Sequence, residues 1–212
     1  MLSETRVVDL QNKPADFVSV YTAACADENA RAKVPILETP STTLVESMVI
    51  VEYLDDITGA VYSHEQRAAC RLWASLMTGW FPYVAILKTD PGSEAEAAAV
   101  SELRQGLRAA DAFLCRRPEA ASGPFLLGDT FSLAEIATAP FAQRFVAVLP
   151  GLRPALNPRR ILEEEGLARL SAWLDAVVAR PSCLETIPPT DELVTSYTAL
   201  LEKMKAMGAP GK

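Results

Sequence analysis

Apolar and polar positions follow two different rhythms along the chain. Over residues 1 to about 57, short β-branched runs stand out at Thr5-Arg-Val-Val-Asp-Leu10, Lys33-Val-Pro-Ile-Leu-Glu38 and Thr42-Thr-Leu-Val45. Each reads as a strand, and Thr39-Pro-Ser41 supplies a turn between the second and third. Between the first and second, Phe17, Val20, Tyr21 and Ala24 recur at helical spacing, while Asn12 and Pro14 suit a helix start. These features predict a helix over Asn12 to Ala32. Ser47-Met-Val-Ile-Val-Glu-Tyr-Leu54 opens a second amphipathic helix that stops near Thr58-Gly59. The predicted order is strand, helix, strand, strand, helix.

From about residue 63 the strand signal vanishes. Breakers divide the remainder into five helical stretches, roughly 63 to 88, 93 to 117, 132 to 148, 164 to 180 and 190 to 207. Gly79 and Pro82 should bend the first, Asp90-Pro-Gly92 ends it, and Ser93-Glu-Ala-Glu96 opens the second as a capping box. In Phe131-Ser-Leu-Ala-Glu-Ile136, Ser132 is the expected N-cap, Glu135 reaches back from the third position, and Phe131 is placed to staple onto Ile136. Three prolines between Leu149 and Pro158 predict a stiff extended connection. Trp173, on the stretch that follows, is expected in the core.

Composition narrows the function classes. Half of the 212 residues are hydrophobic and 22% are charged, enough apolar material for one or two cores and too much for a disordered chain. Twenty basic against 27 acidic residues leave a net charge of -7, and no Lys/Arg cluster is long enough to follow a phosphate backbone, so no nucleic-acid partner is expected. No apolar run approaches the roughly 18 to 20 residues that cross a bilayer, so no membrane partner is expected either. The opening Met1-Leu-Ser-Glu-Thr-Arg lacks the basic-then-apolar layout of a secretory leader, and a cytoplasmic protein is expected. Cys25, Cys70, Cys115 and Cys183 are too widely spaced for a zinc knuckle or a CxxC site. The single histidine, His64, reads as a surface residue near a helix start, and no metal site is expected.

An α/β module carrying Lys33-Val-Pro-Ile-Leu-Glu and then Glu46-Ser47 at a helix start, followed by a helical module with Ser132-Leu-Ala-Glu and Trp173-Leu-Asp-Ala-Val-Val-Ala-Arg-Pro181, resembles the glutathione S-transferase family. Val8-Asp-Leu-Gln-Asn-Lys-Pro14 and Lys33-Val-Pro35 are closest to omega-like or fungal-type members. The resemblance implies an α/β thioredoxin-like domain over residues 1–60, a helical-bundle domain over 61–212, glutathione as co-substrate, a small-molecule electrophile as second substrate, and a homodimer. It also implies that Val34-Pro35 is the family's cis-proline turn, presenting the Val34 main chain to the cysteinyl part of glutathione. The N–H groups and hydroxyl at Ser47 suit the γ-glutamyl carboxylate. Glu46 suits the γ-glutamyl ammonium, and Lys33 the glycyl carboxylate. Trp80, Phe81 and Tyr83, near the Gly79/Pro82 bend, are the implied lining of the electrophile pocket.

The same resemblance carries an expected gap. The family's first strand-helix unit, which holds its catalytic Cys, Ser or Tyr, precedes the segment matched by Val7 to Phe17, so the thioredoxin-like domain reads as truncated and no nucleophile is nominated. The Thr5–Leu10 strand is then expected to lack its usual partner, to pair beside Lys33–Glu38, or to stand as the first strand itself. Cys25 reads as a small buried residue or a surface bystander rather than a redox thiol. Two functions stay open: a transferase that conjugates, reduces or isomerises a small electrophile, in detoxification or secondary metabolism, and a non-catalytic interaction or regulatory module of the same fold.

Overall fold

A computed structural model describes residues 4–59 and 62–208 of the chain, which divides into two units at residues 61 and 62. In the first unit, helix α1 spans Ala15–Cys25, strands β1 (Ile36–Glu38) and β2 (Thr43–Val45) form an antiparallel pair, and helix α2 spans Ser47–Ile57. Helix α1 is shorter at both ends than its apolar spacing predicts. At its start the N-cap position is Pro14 rather than Asn12; at its end Ala26 turns left-handed (φ 51°). The Asp27 carboxylate then accepts from the Asn29 N–H, so a side-chain turn takes over the backbone.

The predicted strand at Thr5–Leu10 does not form. Among the described residues the sheet has two strands, paired only with each other, so a β-branched run without a neighbouring ladder stays irregular. Side chains hold it instead. The Arg6 guanidinium donates to Asp16 at 2.7 Å, and Val8 packs with Ile36 and Val45 against a small core of Phe17, Tyr21 and Ala32, while Val7 is 92% exposed.

The second unit is helical: α3 (His64–Trp80), α4 (Tyr83–Leu87), α5 (Glu94–Cys115), a 3-10 turn at Glu119–Ala121, α6 (Leu133–Leu152), α7 (Pro158–Glu164), α8 (Ala168–Ala179), α9 (Pro181–Leu184) and α10 (Thr190–Gly208). Its core is built on Trp73, Trp173, Phe145 and Met77, with leucines from α5, α6 and α7. Four starts carry the caps that local chemistry favours. The Ser63, Ser93 and Ser132 hydroxyls and the Asn157 amide oxygen accept from Gln66, Glu96, Ala134 and Arg160 N–H groups. The bend expected from Gly79 and Pro82 is a full break at Phe81-Pro82 between α3 and α4. At Gly106 a Cβ would stand 2.5 Å from the Trp80 carbonyl oxygen, so this glycine lets α5 approach the end of α3.

Two details differ from expectation. The connection over 149–158 is not extended: α6 runs through Pro150 to Leu152, and α7 begins at Pro158 with Asn157 as its cap. Proline is tolerated at Pro158 because a first-turn N–H has no helical partner to lose. Phe131, expected to staple onto Ile136, instead packs edge-on against Phe125, with ring centres 5.2 Å apart, beneath the Arg180 guanidinium; Ile136 is 41% exposed.

Arginines tie α7 to α5. Arg104 donates to Glu164 and Glu165, each at 2.7 Å, and Arg108 donates to Glu165. The hydrogen bonds from Arg104 first, with help from Arg160 and Arg108 respectively, hold the Glu164 and Glu165 carboxyls below their ordinary range. Because the folded carboxyls titrate below those of the unfolded chain, their contribution is present above the ordinary carboxylate value and is lost as pH falls through the lower folded one. The melting temperature should therefore drop on acidification from pH 6 to pH 3, and Arg104→Gln should shrink the part of that drop belonging to this cluster. Equal pH profiles for the two proteins would show that the cluster contributes nothing.

Candidate functional site

The hairpin brings the two halves of the sequence-predicted site to one end of the first unit. Ile36 pairs with Val45, so Pro35 and Glu46 follow each other outward from the last rung of the ladder, with Val34 and Ser47 one step beyond. The Val34-Pro35 peptide is cis, and Val34 is 47% exposed. Glu46 has φ 67° and ψ 117°, outside the left-handed helical well and rare for a residue with a side chain. Such a backbone persists only when its surroundings hold it, and it occurs most often where function requires it. It aims the chain so that Ser47 is the first residue of α2.

Helix α2 has no side-chain cap. Its first helical hydrogen bond runs from the Ile50 N–H to the Glu46 carbonyl, which leaves the Ser47, Met48 and Val49 N–H groups without helical acceptors. Together with the positive end of the helix dipole, these amides are a receptor for a carboxylate.

Two groups meet the Glu46 carboxylate. Lys33 Nζ stands 3.8 Å from Oε1, with both side chains about two-thirds exposed (65% and 61%), and the Tyr21 hydroxyl donates to the same oxygen at 3.4 Å. Lys33 is thus drawn toward the Glu46 end of the site. An ion pair this exposed is worth little, which leaves Lys33 able to turn to another carboxylate. Tyr21 escaped the sequence reading because its position in the apolar repeat marks it as core. The ring is indeed buried, but its hydroxyl emerges at the site. Burial first, then the Cys25 thiol and the Glu46 carboxylate, push the Tyr21 phenol above its ordinary value, so near neutral pH it is a hydrogen-bond donor and not a base.

In the second unit Trp80, Phe81 and Tyr83 diverge. Phe81 and Tyr83 are nearly fully buried and pack on Phe145, with ring centres 5.2 and 5.8 Å away. The Tyr83 hydroxyl lies 3.3 Å from that of Tyr197, and burial pushes it above the ordinary phenol value. Trp80 is half-buried and lines a surface hollow with Ala109, Phe113, Arg116 and Arg117. Cys70 and Cys183 are buried, Cys115 is exposed and Cys25 is half-buried. His64 is an exposed first residue of α3. Among the described residues there is no His/Cys/Asp/Glu cluster that could hold a metal ion, and no helix is long and apolar enough to cross a membrane.

A small two-stranded α/β unit with a cis-proline turn beside a strained helix start, followed by a helical bundle, matches the architecture of glutathione transferases. Two family models match in the same order: "Glutathione S-transferase, N-terminal domain" over residues 4–56 and "Glutathione S-transferase, C-terminal domain" over 94–176. The chain belongs to the glutathione S-transferase family. It is 27% identical to glutathione S-transferase U16 of Arabidopsis thaliana over 178 residues, covering 80% of this chain and 72% of that protein. It is 26% identical to a probable glutathione S-transferase of Nicotiana tabacum, covering 82% and 74%. Among solved structures, it resembles glutathione transferase Omega 3C from Trametes versicolor (TM-score 0.68, 21% identity, 95% of this chain and 79% of that one). A rice glutathione transferase solved in complex with glutathione is also similar (TM-score 0.66, 23% identity, 93% and 85%). Glutathione is the co-substrate of this family.

Proposed function

We propose that this chain binds glutathione at the hairpin end of its first unit and transfers it to, or uses it to reduce or isomerise, a small electrophile. The observation that carries this reading is the convergence of Val34, Glu46 and the uncapped start of α2 at one edge of the β1–β2 pair. A tripeptide with an extended backbone would pair with the Val34 main chain. Its γ-glutamyl carboxylate would take the Ser47 amide and hydroxyl, and its ammonium the Glu46 carboxylate. Pro35 holds Val34 at the strand end, and Lys33 supplies the cation for the remaining carboxylate. For the electrophile, Trp80 offers an accessible aromatic surface backed by Trp73, while Phe81 and Tyr83 pack on Phe145 in the core. The same reading includes a homodimer, a cytoplasmic location and a role in detoxification or secondary metabolism.

Calorimetry with the purified chain tests the binding step. Saturable heat with glutathione is expected, and Ser47→Ala should weaken affinity by about tenfold, the value of one charge-assisted hydrogen bond. No heat with the wild-type chain overturns the reading. The state of Tyr21 favours a second reading, a binding module without transfer chemistry, because its phenol keeps its proton and spends it on Glu46. Glutathione binding without turnover of an activated aryl halide would select that one.

A further inference from the structure

Two donors reach the Glu46 carboxylate, and both reach the same oxygen. The Tyr21 hydroxyl lies 3.4 Å from Oε1 and Lys33 Nζ lies 3.8 Å from it, whereas Oε2 has no partner among the described residues. The two donors differ in freedom. Lys33 is 65% exposed along its side chain and carries its charge on a flexible stem. Tyr21 is 3% exposed, and its ring is held with Phe17 and Ala32 in the small core of the first unit. Packing, and not the site, therefore sets the place of its hydroxyl.

An exposed glutamate turns freely about its outer torsions, and a ligand that needs it in one orientation loses affinity in ordering it. The strained backbone at Glu46 (φ 67°) fixes where its side chain starts, and the Tyr21 hydroxyl fixes where it ends. Between them, Oε2 is left facing a donor that arrives from solvent. Charge then decides which of the two protein donors stays. A ligand ammonium at Oε2 and the Lys33 ammonium at Oε1 repel each other across one carboxylate, so Lys33 leaves as the ligand's cation arrives. A protonated phenol is neutral: it neither repels that ammonium nor cancels the charge that attracts it.

We infer that Tyr21 is the positioning residue of the Glu46 subsite, holding Oε1 so that Oε2 receives the ammonium of a γ-glutamyl ligand. This deepens the function proposed above and rests on that reading for the identity of the ligand. It also assigns a specificity, because a site prepared in this way prefers a γ-glutamyl group with a free ammonium to the same group without one. The Tyr21 hydroxyl acts through Glu46 and makes no bond to the ligand itself.

The test compares two ligands by calorimetry on the full-length chain. One is glutathione; the other is glutaryl-cysteinyl-glycine, in which hydrogen replaces the ammonium while the thiol and both carboxylates are kept. The wild-type chain should bind glutathione roughly tenfold more tightly than the analogue. Tyr21→Phe, which keeps the ring and deletes only the hydroxyl, should weaken glutathione about fivefold, the value of one ordinary hydrogen bond, and leave the analogue within about twofold of wild type. Glu46→Ala should erase the preference for glutathione, and adding Tyr21→Phe to it should change neither affinity. Each result is a ratio of two ligands on one preparation, so a lower folded fraction cannot imitate it. Unchanged glutathione affinity in Tyr21→Phe overturns the inference. So does an equal loss for both ligands, which would make Tyr21 a packing residue only, or a further loss on top of Glu46→Ala. In those cases the glutathione heat of the wild-type chain leaves the proposed function standing, whereas absence of that heat overturns both.

Discussion

Glu135→Ala is expected to destabilise the helical unit by about 4 kcal/mol. The carboxyl group is fully buried and accepts from four donors: Leu126 N–H at 2.8 Å, Ser132 N–H at 3.0 Å, the Ser132 hydroxyl at 2.7 Å and Trp173 Nε1 at 3.0 Å. Removing it strands buried donors that water cannot reach, and each costs about 1 to 3 kcal/mol. A loss near the upper end for single substitutions follows. Urea denaturation should show the midpoint falling with an unchanged slope, and thermal melting should move down by roughly 10 °C. Glu135→Gln, which keeps the shape but turns an amide N–H₂ toward donors, is expected to lose about half as much. A loss below about 1 kcal/mol for the alanine variant would show that this network does not hold the unit together.

The second large effect is expected at Arg169. Its guanidinium donates to the Ala120, Pro124 and Phe125 carbonyls at 3.1, 2.8 and 2.8 Å, so the stretch after the 3-10 turn is hung on one side chain by its acceptors, while Glu135 takes one of its amides. Burial is the largest influence on Arg169 and pulls it below its ordinary value, opposed by Cys115, Glu135 and Asp111. Arg169→Met keeps much of the apolar stem and deletes all three bonds, for a loss of about 3 kcal/mol in the same denaturation experiment. Arg169→Lys should recover only a minor part, because an ammonium cannot span three carbonyls as a planar fork does. Since Glu135 and Arg169 grip the same stretch, the double variant should lose less than the sum of the two. Strict additivity would show that the two clamps act on separate structures.

These two residues show how far the pattern of side chains along a chain can be read. Ser132 followed by Glu135 is legible as a capping box because all its partners lie within one turn, and the box is present. That Glu135 also receives an amide nine residues upstream and an indole 38 residues downstream has no local signal. The candidate site divides similarly. Val34-Pro35 and Glu46-Ser47 were singled out by the family resemblance that their order carries, whereas the Tyr21 hydroxyl on Glu46 was hidden behind an apolar repeat that explained the ring alone. Asn157-Pro158 carried a readable helix start that the density of neighbouring prolines obscured.

Residue order alone determined the two-part architecture, the capped starts at Ser93 and Ser132, and an interruption near Gly79 and Pro82. Each depends on backbone chemistry within a few residues, where propensity and hydrogen-bond geometry act. Tertiary packing decided that Thr5–Leu10 forms no strand, that Phe81 and Tyr83 turn inward while Trp80 faces a hollow, and that Lys33 and Tyr21 converge on Glu46. Those outcomes depend on which distant surfaces are available to pair with or to bury a side chain, and no local pattern specifies that.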